Sequence, residues 1–376
     1  MANFKVVIVG AGVVGACCAR TLARCGAEVL VVDQGEAVGV RGGTAAGMGH
    51  IVINDGDRAG LQLCKLGRSI WRDDCPEIAG ADGFSETGTL WMAEDDDTFN
   101  ELVNSAARLE AEGIRAELLV GKSFHDAEPA LARDLVGGLR VPEDGVLYAP
   151  VVAAAMVDQA KQLGATFRPR VRVSSVESGV VRLFDGNSIE ADAIVIASGL
   201  NALDLLDESG IEVPIIPREG QLAITARGTQ VLSHHVVEAG YQKGAHGEVE
   251  EAVACAILPR STGQLCIGSS RRPRHGAMVD RQLMERIVAR SDRFLPGISR
   301  LPIVRCWSGT RAATADSRPL IGPVPAQPGV WIAAGFEGLG ITQAPAAAQL
   351  IAHSMHGTTS PIDPRAWDPA RVMTTS

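Results

Sequence analysis

Residues able to do chemistry gather near the two ends of this chain. Close to the start runs Gly10-Ala-Gly-Val-Val-Gly15, with Asp33 following 18 residues after Gly15. In such a pattern Gly10 permits a tight turn, Gly12 lets the backbone approach a pyrophosphate, and Gly15 lets a helix pack closely on a strand, with Ala19 keeping that contact small. Phosphates bound there meet the unpaired N–H groups and the positive dipole end of a helix. A carboxylate at Asp33 can accept both ribose hydroxyls of an adenosine and disfavours a 2′-phosphate. Near the other end, Gly335-Phe-Glu-Gly-Leu-Gly340 leads into a helical stretch from Thr342 to about His356, with Pro345 in its first turn, where proline is tolerated. Between them stands Arg311, whose planar fork matches a carboxylate where a lysine would offer a point charge. A salt bridge from Arg311 to Asp316 is the competing reading.

A glycine turn of this kind works only between a strand and a helix, and the surroundings supply both. Lys5-Val-Val-Ile-Val9 reads as a strand buried on both faces, followed by a helix to about Cys25 and a second strand from Glu28 to Val32 that ends at Asp33. This unit alone leaves NAD and FAD open. The next stretch, Arg41-Gly-Gly-Thr-Ala-Ala-Gly-Met-Gly-His50, reads as a loop of small residues suited to lie flat on a planar ring, ahead of a helix from Asp57 to about Asp74. Further on, Val171 opens a meander running to Val195, Ala193 to Ala197 and Val330 to Ala334 read as strands, and Gln221 to Thr225, Val253 to Leu258 and Gln264 to Gly268 alternate as an antiparallel sheet does. Residues 83–144 add a strand around Gly88 to Met92 and a helix from Asp96 to Glu112.

The bulk numbers agree with a two-part protein. At 376 residues the chain suits two domains better than three. The formal net charge of −9 is spread along the chain and argues against nucleic acid and anionic membrane as partners. Eight cysteines occur without a CxxC pair or a Cys/His cluster, so no metal site is expected and reduced thiols in a cytoplasm are the default. Val6 to Ala19 imitates a signal-peptide core, but Gly10, Gly12 and Gly15 punctuate it and Arg20 and Arg24 follow, which favours mature structure. No apolar run approaches the roughly 18–20 residues that cross a bilayer, so no stable membrane insertion is expected.

Three blocks together resemble the glycine oxidase and D-amino-acid oxidase family of flavoproteins: the N-terminal glycine unit with Asp33, the Thr44-Ala-Ala-Gly-Met48 loop, and Trp307-Ser-Gly-Thr-Arg311 through Thr342. The resemblance implies an α/β fold in which a Rossmann-like FAD-binding domain (residues 1–82, 145–216 and 302–376) is interleaved with an antiparallel-sheet α+β substrate domain (83–144 and 217–301). It implies noncovalent FAD, contacted by Gly10, Gly12, Val13, Val14, Gly15, Asp33 and Gln34, by Arg41 and Gly42 near the phosphates, and by Val171 at the adenine. Ala46, Gly47 and Met48 then neighbour the ring, as do Gly335, Phe336, Glu337, Gly338, Leu339, Gly340, Ile341 and Thr342. N–H groups at the start of the late helix would stabilise the negative charge of a reduced ring without reorganising.

The implied activity is oxidation of a small D- or secondary amino acid to its imine by hydride transfer from Cα, with oxygen or a quinone as acceptor, and with a homo-oligomer or partner subunits left open. Arg311 is the carboxylate binder in this scheme, and His50 and Tyr241 are further candidates at the site. Within the family, Gly47-Met-Gly-His-Ile51, Glu238-Ala-Gly-Tyr-Gln-Lys243, Pro259-Arg-Ser-Thr-Gly-Gln264, Ile267-Gly-Ser-Ser-Arg271 and Glu337-Gly-Leu-Gly-Ile-Thr342 look closest to bacterial D-hydroxyproline dehydrogenases, with cis-4-hydroxy-D-proline as the substrate of choice. Glycine or sarcosine oxidation, an opine or hydrogen cyanide synthase type of flavin subunit, and a 2-hydroxy acid dehydrogenase using His50 as base are the alternatives. Some positions depart from the family: Ala256 replaces a tyrosine, Gly338 a second arginine and Phe336 a frequent histidine, and Gly309 stands where some relatives carry a flavin-linking cysteine.

Overall fold

The structure is a computed structural model that describes residues 4–53, 56–79, 83–228, 231–240, 251–274, 276 and 278–373. Its first layer is a six-stranded sheet in the order Leu320–Pro323, Val330–Ala334, Ala193–Ile196, Lys5–Val9, Glu28–Val32, Thr166–Arg168. Every neighbouring pair is parallel except the edge strand Leu320–Pro323. The central strands are near-continuous Val, Ile and Ala because both faces are covered: the helices Val13–Arg24, Ala149–Gln162 and Gly340–His356 share one core with Val6, Ile8 and Val31, and Val7, Val9 and Val32 join a second core on the other side.

Parallel strands send their chain on from the same edge, so the helices that follow Lys5–Val9 and Val330–Ala334 both start there. Neither start is capped by a side chain at its N-cap residue, Gly12 or Leu339, and neither has an acid in its first turn. Such first-turn amides, of which Val13 gives its own to the Thr44 hydroxyl, are the groups a helix ordinarily gives to Ser, Asp or water.

The second layer is an eight-stranded sheet in the order Ile303–Thr314, Ile215–Thr225, Leu265–Arg271, Ala252–Pro259, His235–Glu238, Thr89–Ala93, Gly137–Val141, Glu117–Val120. The helix Arg281–Phe294 covers one face, where Leu283, Met284, Ile287 and Phe294 pack with Ala223, Val236, Cys255, Ile257 and Ile267. Side chains of the opposite face, among them Trp91, Val237, Ala256 and Leu222, pack against Met48, Leu339 and Trp307. Its two longest strands, Ile215–Thr225 and Ile303–Thr314, are paired almost along their whole length, and the first crosses from one expected domain segment into the next. The meander is present as Val173–Glu177, Val180–Leu183 and Ser188–Glu190.

Two local expectations are corrected. The stretch read as a loop of small residues holds a short helix, Gly42–Ala46, because Thr44 and its neighbours are compact enough to wind beneath the first glycine turn, where the Thr44 hydroxyl accepts the Val13 N–H at 2.9 Å. The late helix begins at Gly340 rather than Thr342, which moves Pro345 out of the first turn. A proline there cannot donate to the carbonyl four residues back, that of Ile341. The indole Nε1 of Trp71, from the helix Arg58–Ala79, donates to that carbonyl instead at 2.8 Å. Gly67 lets that helix come so near, since a Cβ on it would lie 2.1 Å from the Thr342 carbonyl oxygen.

Trp71→Phe keeps the packing but strands that carbonyl, so urea unfolding should show a loss of about 1–3 kcal/mol; a Trp71→Phe protein as stable as the parent would show that water replaces the indole.

Candidate active site

The first glycine turn is built for close approach. A Cβ on Gly15 would lie 1.9 Å from the Gly10 carbonyl oxygen, and one on Gly10 2.5 Å from that of Ala197. Both glycines are therefore spent on the protein's own packing. Gly12 differs: a Cβ there would meet only the Thr44 hydroxyl, at 3.0 Å, and a Cβ on Gly42 or Gly43 would meet nothing within 4 Å. The turn thus faces open space lined by main chain. Asp33 holds it in shape, one carboxylate oxygen accepting the Ala11 N–H and the other the Gly35 N–H, both at 2.6 Å. The Asp33 carbonyl accepts the Val171 N–H at 2.8 Å, which brings Val171 beside Asp33 and Gln34. The Arg41 stem runs near Gly35.

The early and late loops meet. A Cβ on Gly47 would lie 3.1 Å from Ile341 Cδ1, and the buried Thr342 hydroxyl accepts the Val52 N–H at 3.1 Å. Phe336 is buried in the core under the parallel sheet, Leu339 and Met48 pack against the same cluster of Trp91, Val237 and Ala256, and nothing lies within 4 Å of a Cβ placed on Gly338. The Glu337 side chain turns instead to the eight-stranded sheet, where it pairs with Arg218 at 2.9 Å and with Arg271.

Both loops rest on one face of that sheet. A Cβ on Gly309 would lie 2.3 Å from Ala46 Cβ, and one on Gly268 3.1 Å from Met48 Cε. The Trp307 indole donates to the Ala46 carbonyl at 3.0 Å and Arg260 to that of Met48 at 3.0 Å. On the same face Arg311 lies flat over Gly220, directly across from Gly309 in the register, and Nη1 of Arg311 donates to the Ser270 carbonyl at 3.1 Å. Asp316 does not compete for it, being paired with Arg371 at 2.8 Å. Among the described residues no carboxylate forms an ion pair with Arg311. Glu238 faces away, accepting from Arg290 at 2.7 Å.

His50 lies on a short antiparallel ribbon with Val146, and its Nε2 is 2.7 Å from the Thr89 hydroxyl. Its ring centroid lies 3.7 Å from that of His235, which neighbours Thr89 in the sheet. Burial, reinforced by His235, holds the His50 imidazole well below the usual histidine range; burial and the Arg260 charge push His235 down to about 3. Neither ring nitrogen of His235 has a hydrogen-bond partner among the described residues. Beneath them burial pushes Asp144 up to about 6 against the opposing Arg68 charge, the Thr89 hydroxyl and the Ile53 N–H. Tyr241 lies outside the described residues. Sequence reading gave no role to Thr44, Arg218, Ser270, Trp307 or His235; Thr44, Ser270 and Trp307 stood inside quoted blocks, and no local pattern marks Arg218 or His235.

Known proteins agree with this architecture. The family described as FAD dependent oxidoreductase (DAO) matches residues 5–354. The chain is 27% identical to a glycine oxidase of Geobacillus kaustophilus (strain HTA426), over 93% of this chain and 92% of that one. The solved structure of glycine oxidase from Geobacillus kaustophilus superposes with a TM-score of 0.87 at 25% identity, covering 98% of this chain and 99% of the other. L-proline dehydrogenase from P. horikoshii shares the fold with a TM-score of 0.87 at 23% identity, covering 98% and 97%.

The buried cluster gives stability a definite pH dependence. His235 stays neutral when folded, so the stability tied to it is full above about pH 6.5 and is lost as pH falls toward 3, where the folded ring also protonates. His50 acts in the same sense. Asp144 acts in the opposite sense: its contribution is full below its ordinary 3.8 and is lost as pH rises toward about 6. Two rings against one carboxyl leave a net fall on acidification. In His235→Leu the fall between pH 6 and 4.5 should be shallower by about 1.4 kcal/mol per pH unit. Parallel urea-midpoint curves for the two proteins would assign the acid sensitivity elsewhere.

Proposed function

Because the chain belongs to the DAO family of FAD-dependent oxidoreductases, we propose that it oxidises a small amino acid at the bond between Cα and nitrogen, of the glycine or sarcosine type or a cyclic secondary amine such as cis-4-hydroxy-D-proline. FAD, when bound, accepts the hydride that leaves Cα. The site residues fit that group: Gly12 opens onto space that only the Thr44 hydroxyl borders, both helix starts lack capping acids, and the early and late loops offer main chain and small side chains to a flat ring.

In this reading Gly10, Gly12, Val13, Val14 and Gly15 hold the phosphates, with Arg41 and Gly42 beside them. Asp33 and Gln34 hold the ribose, and Val171 the adenine. Ala46, Gly47 and Met48 support one side of the ring, and Gly338 to Thr342 supply backbone donors at its reactive end. Arg311 binds the substrate carboxylate. It is the observation that carries the proposal, a guanidinium spread over Gly220 and anchored by the Ser270 carbonyl with no described acid paired to it. Orientation by that fork provides most of what a substrate with a neutral amine needs.

The relatives named above are glycine oxidases and a proline dehydrogenase, which supports glycine, sarcosine and proline derivatives as the first substrates to try, with oxygen or a quinone as acceptor. Anaerobic bleaching of the bound flavin by a panel of glycine, sarcosine, D- and L-proline, the hydroxyprolines and a 2-hydroxy acid tests the reading; bleaching by the 2-hydroxy acid alone would overturn it. With the substrate so found, Arg311→Ala should keep its yellow colour and lose on the order of a hundredfold in kcat/KM, about 3 kcal/mol. An unchanged kcat/KM would remove Arg311 from the site.

A further inference from the structure

Arg218 and Arg311 stand directly opposite one another on the two long strands, so their side chains leave the same face of the sheet. Like charges so placed repel unless an anion joins them or one is drawn aside. Here one is drawn aside. Arg218 donates to Glu337 Oε1 at 2.9 Å, and Arg271, from the neighbouring strand Leu265–Arg271, reaches the same oxygen. The carboxylate does not come from the sheet: Glu337 belongs to the late glycine loop and crosses to these arginines from outside. Its backbone holds φ at 49°, in the left-handed region that side chains other than glycine rarely take. Its N–H is tied to the Ala312 carbonyl at 2.7 Å, next to Arg311. Strain of this kind gathers where a side chain must be aimed.

We propose that Glu337 sets substrate specificity by charge, occupying with its own carboxylate the place that a second acidic group of a substrate would take, and holding Arg218 there so that a single guanidinium, Arg311, meets a single carboxylate. The inference rests on the assignment of Arg311 to substrate binding. The chain thereby selects monocarboxylate amines and rejects dicarboxylate ones, because the cations that a second carboxylate would need, Arg218 and Arg271, are already taken up by Glu337.

Glu337→Gln tests this in the flavin-loaded protein. Its visible spectrum reports retention of FAD, and calorimetry reports the binding of acetate and malonate as minimal mono- and dicarboxylate probes. The affinity ratio of malonate to acetate should rise about tenfold or more, the worth of one added charge-assisted pair, while acetate alone changes little. Adding Arg218→Gln and Arg271→Gln to the variant should cancel the gain. A Glu337→Gln protein that keeps its flavin and its original ratio overturns the proposal, as does a gain that survives the loss of both arginines. Should Glu337→Gln lose the cofactor, Arg218→Gln alone decides: acetate bound as tightly as by the parent supports the proposal, and a tenfold loss overturns it by placing Arg218 on the substrate carboxylate. If Arg311→Ala binds acetate unchanged, the underlying assignment has failed instead.

Discussion

A parallel strand order puts the starts of two helices at one edge of one sheet, and nearly everything about the site follows from that constraint. The strands Lys5–Val9 and Val330–Ala334 run in the same direction with Ala193–Ile196 between them. Each hands on to a helix whose first amides no side chain at the N-cap takes up. Two such ends, separated by the width of a strand, make an extended array of hydrogen-bond donors and positive dipole. An elongated molecule with an anionic middle and an electron-accepting end is what such an array can hold along its length.

The second sheet completes the site through absence of side chains. Gly309 admits Ala46, Gly220 admits the plane of Arg311, and Gly268 admits Leu222 and Met48. Each of these glycines is occupied by a specific neighbour instead of leaving a void, so the early loop is seated directly on the face that carries Arg311. Trp307 and Arg260 fasten it by its main-chain carbonyls, and Glu337 fastens the late loop by its side chain.

Much of this was legible in the chain and some was not, for reasons of range. The glycine spacing, the strand before it and the acid after it form one local unit, so the sequence carries it whole; the ends of the first helix and second strand fall where the pattern puts them. Arg311 could be picked out by type, yet its freedom from Asp316 depended on Arg371, which lies 55 residues beyond that acid. The Glu337 pairing joins residues 119 apart and crosses from loop to sheet, so no periodicity announces it. His235 reads as one histidine among several until the sheet register sets it beside Thr89 and beneath His50. The short helix Gly42–Ala46 escaped because glycine and threonine argue for a loop, while the Thr44 hydroxyl under the first turn holds the stretch wound.

The proline within the late helix has a consequence for how this chain can change over time. Ile341 has its carbonyl served by Trp71 only because Pro345 brings no N–H of its own. Replacing the proline first would restore an ordinary helical donor and make the indole dispensable; replacing the tryptophan first would leave the helix start with an unserved oxygen. The two positions, on different helices and far apart in the chain, are therefore epistatic, and only one order of substitution passes through a well-folded intermediate sequence.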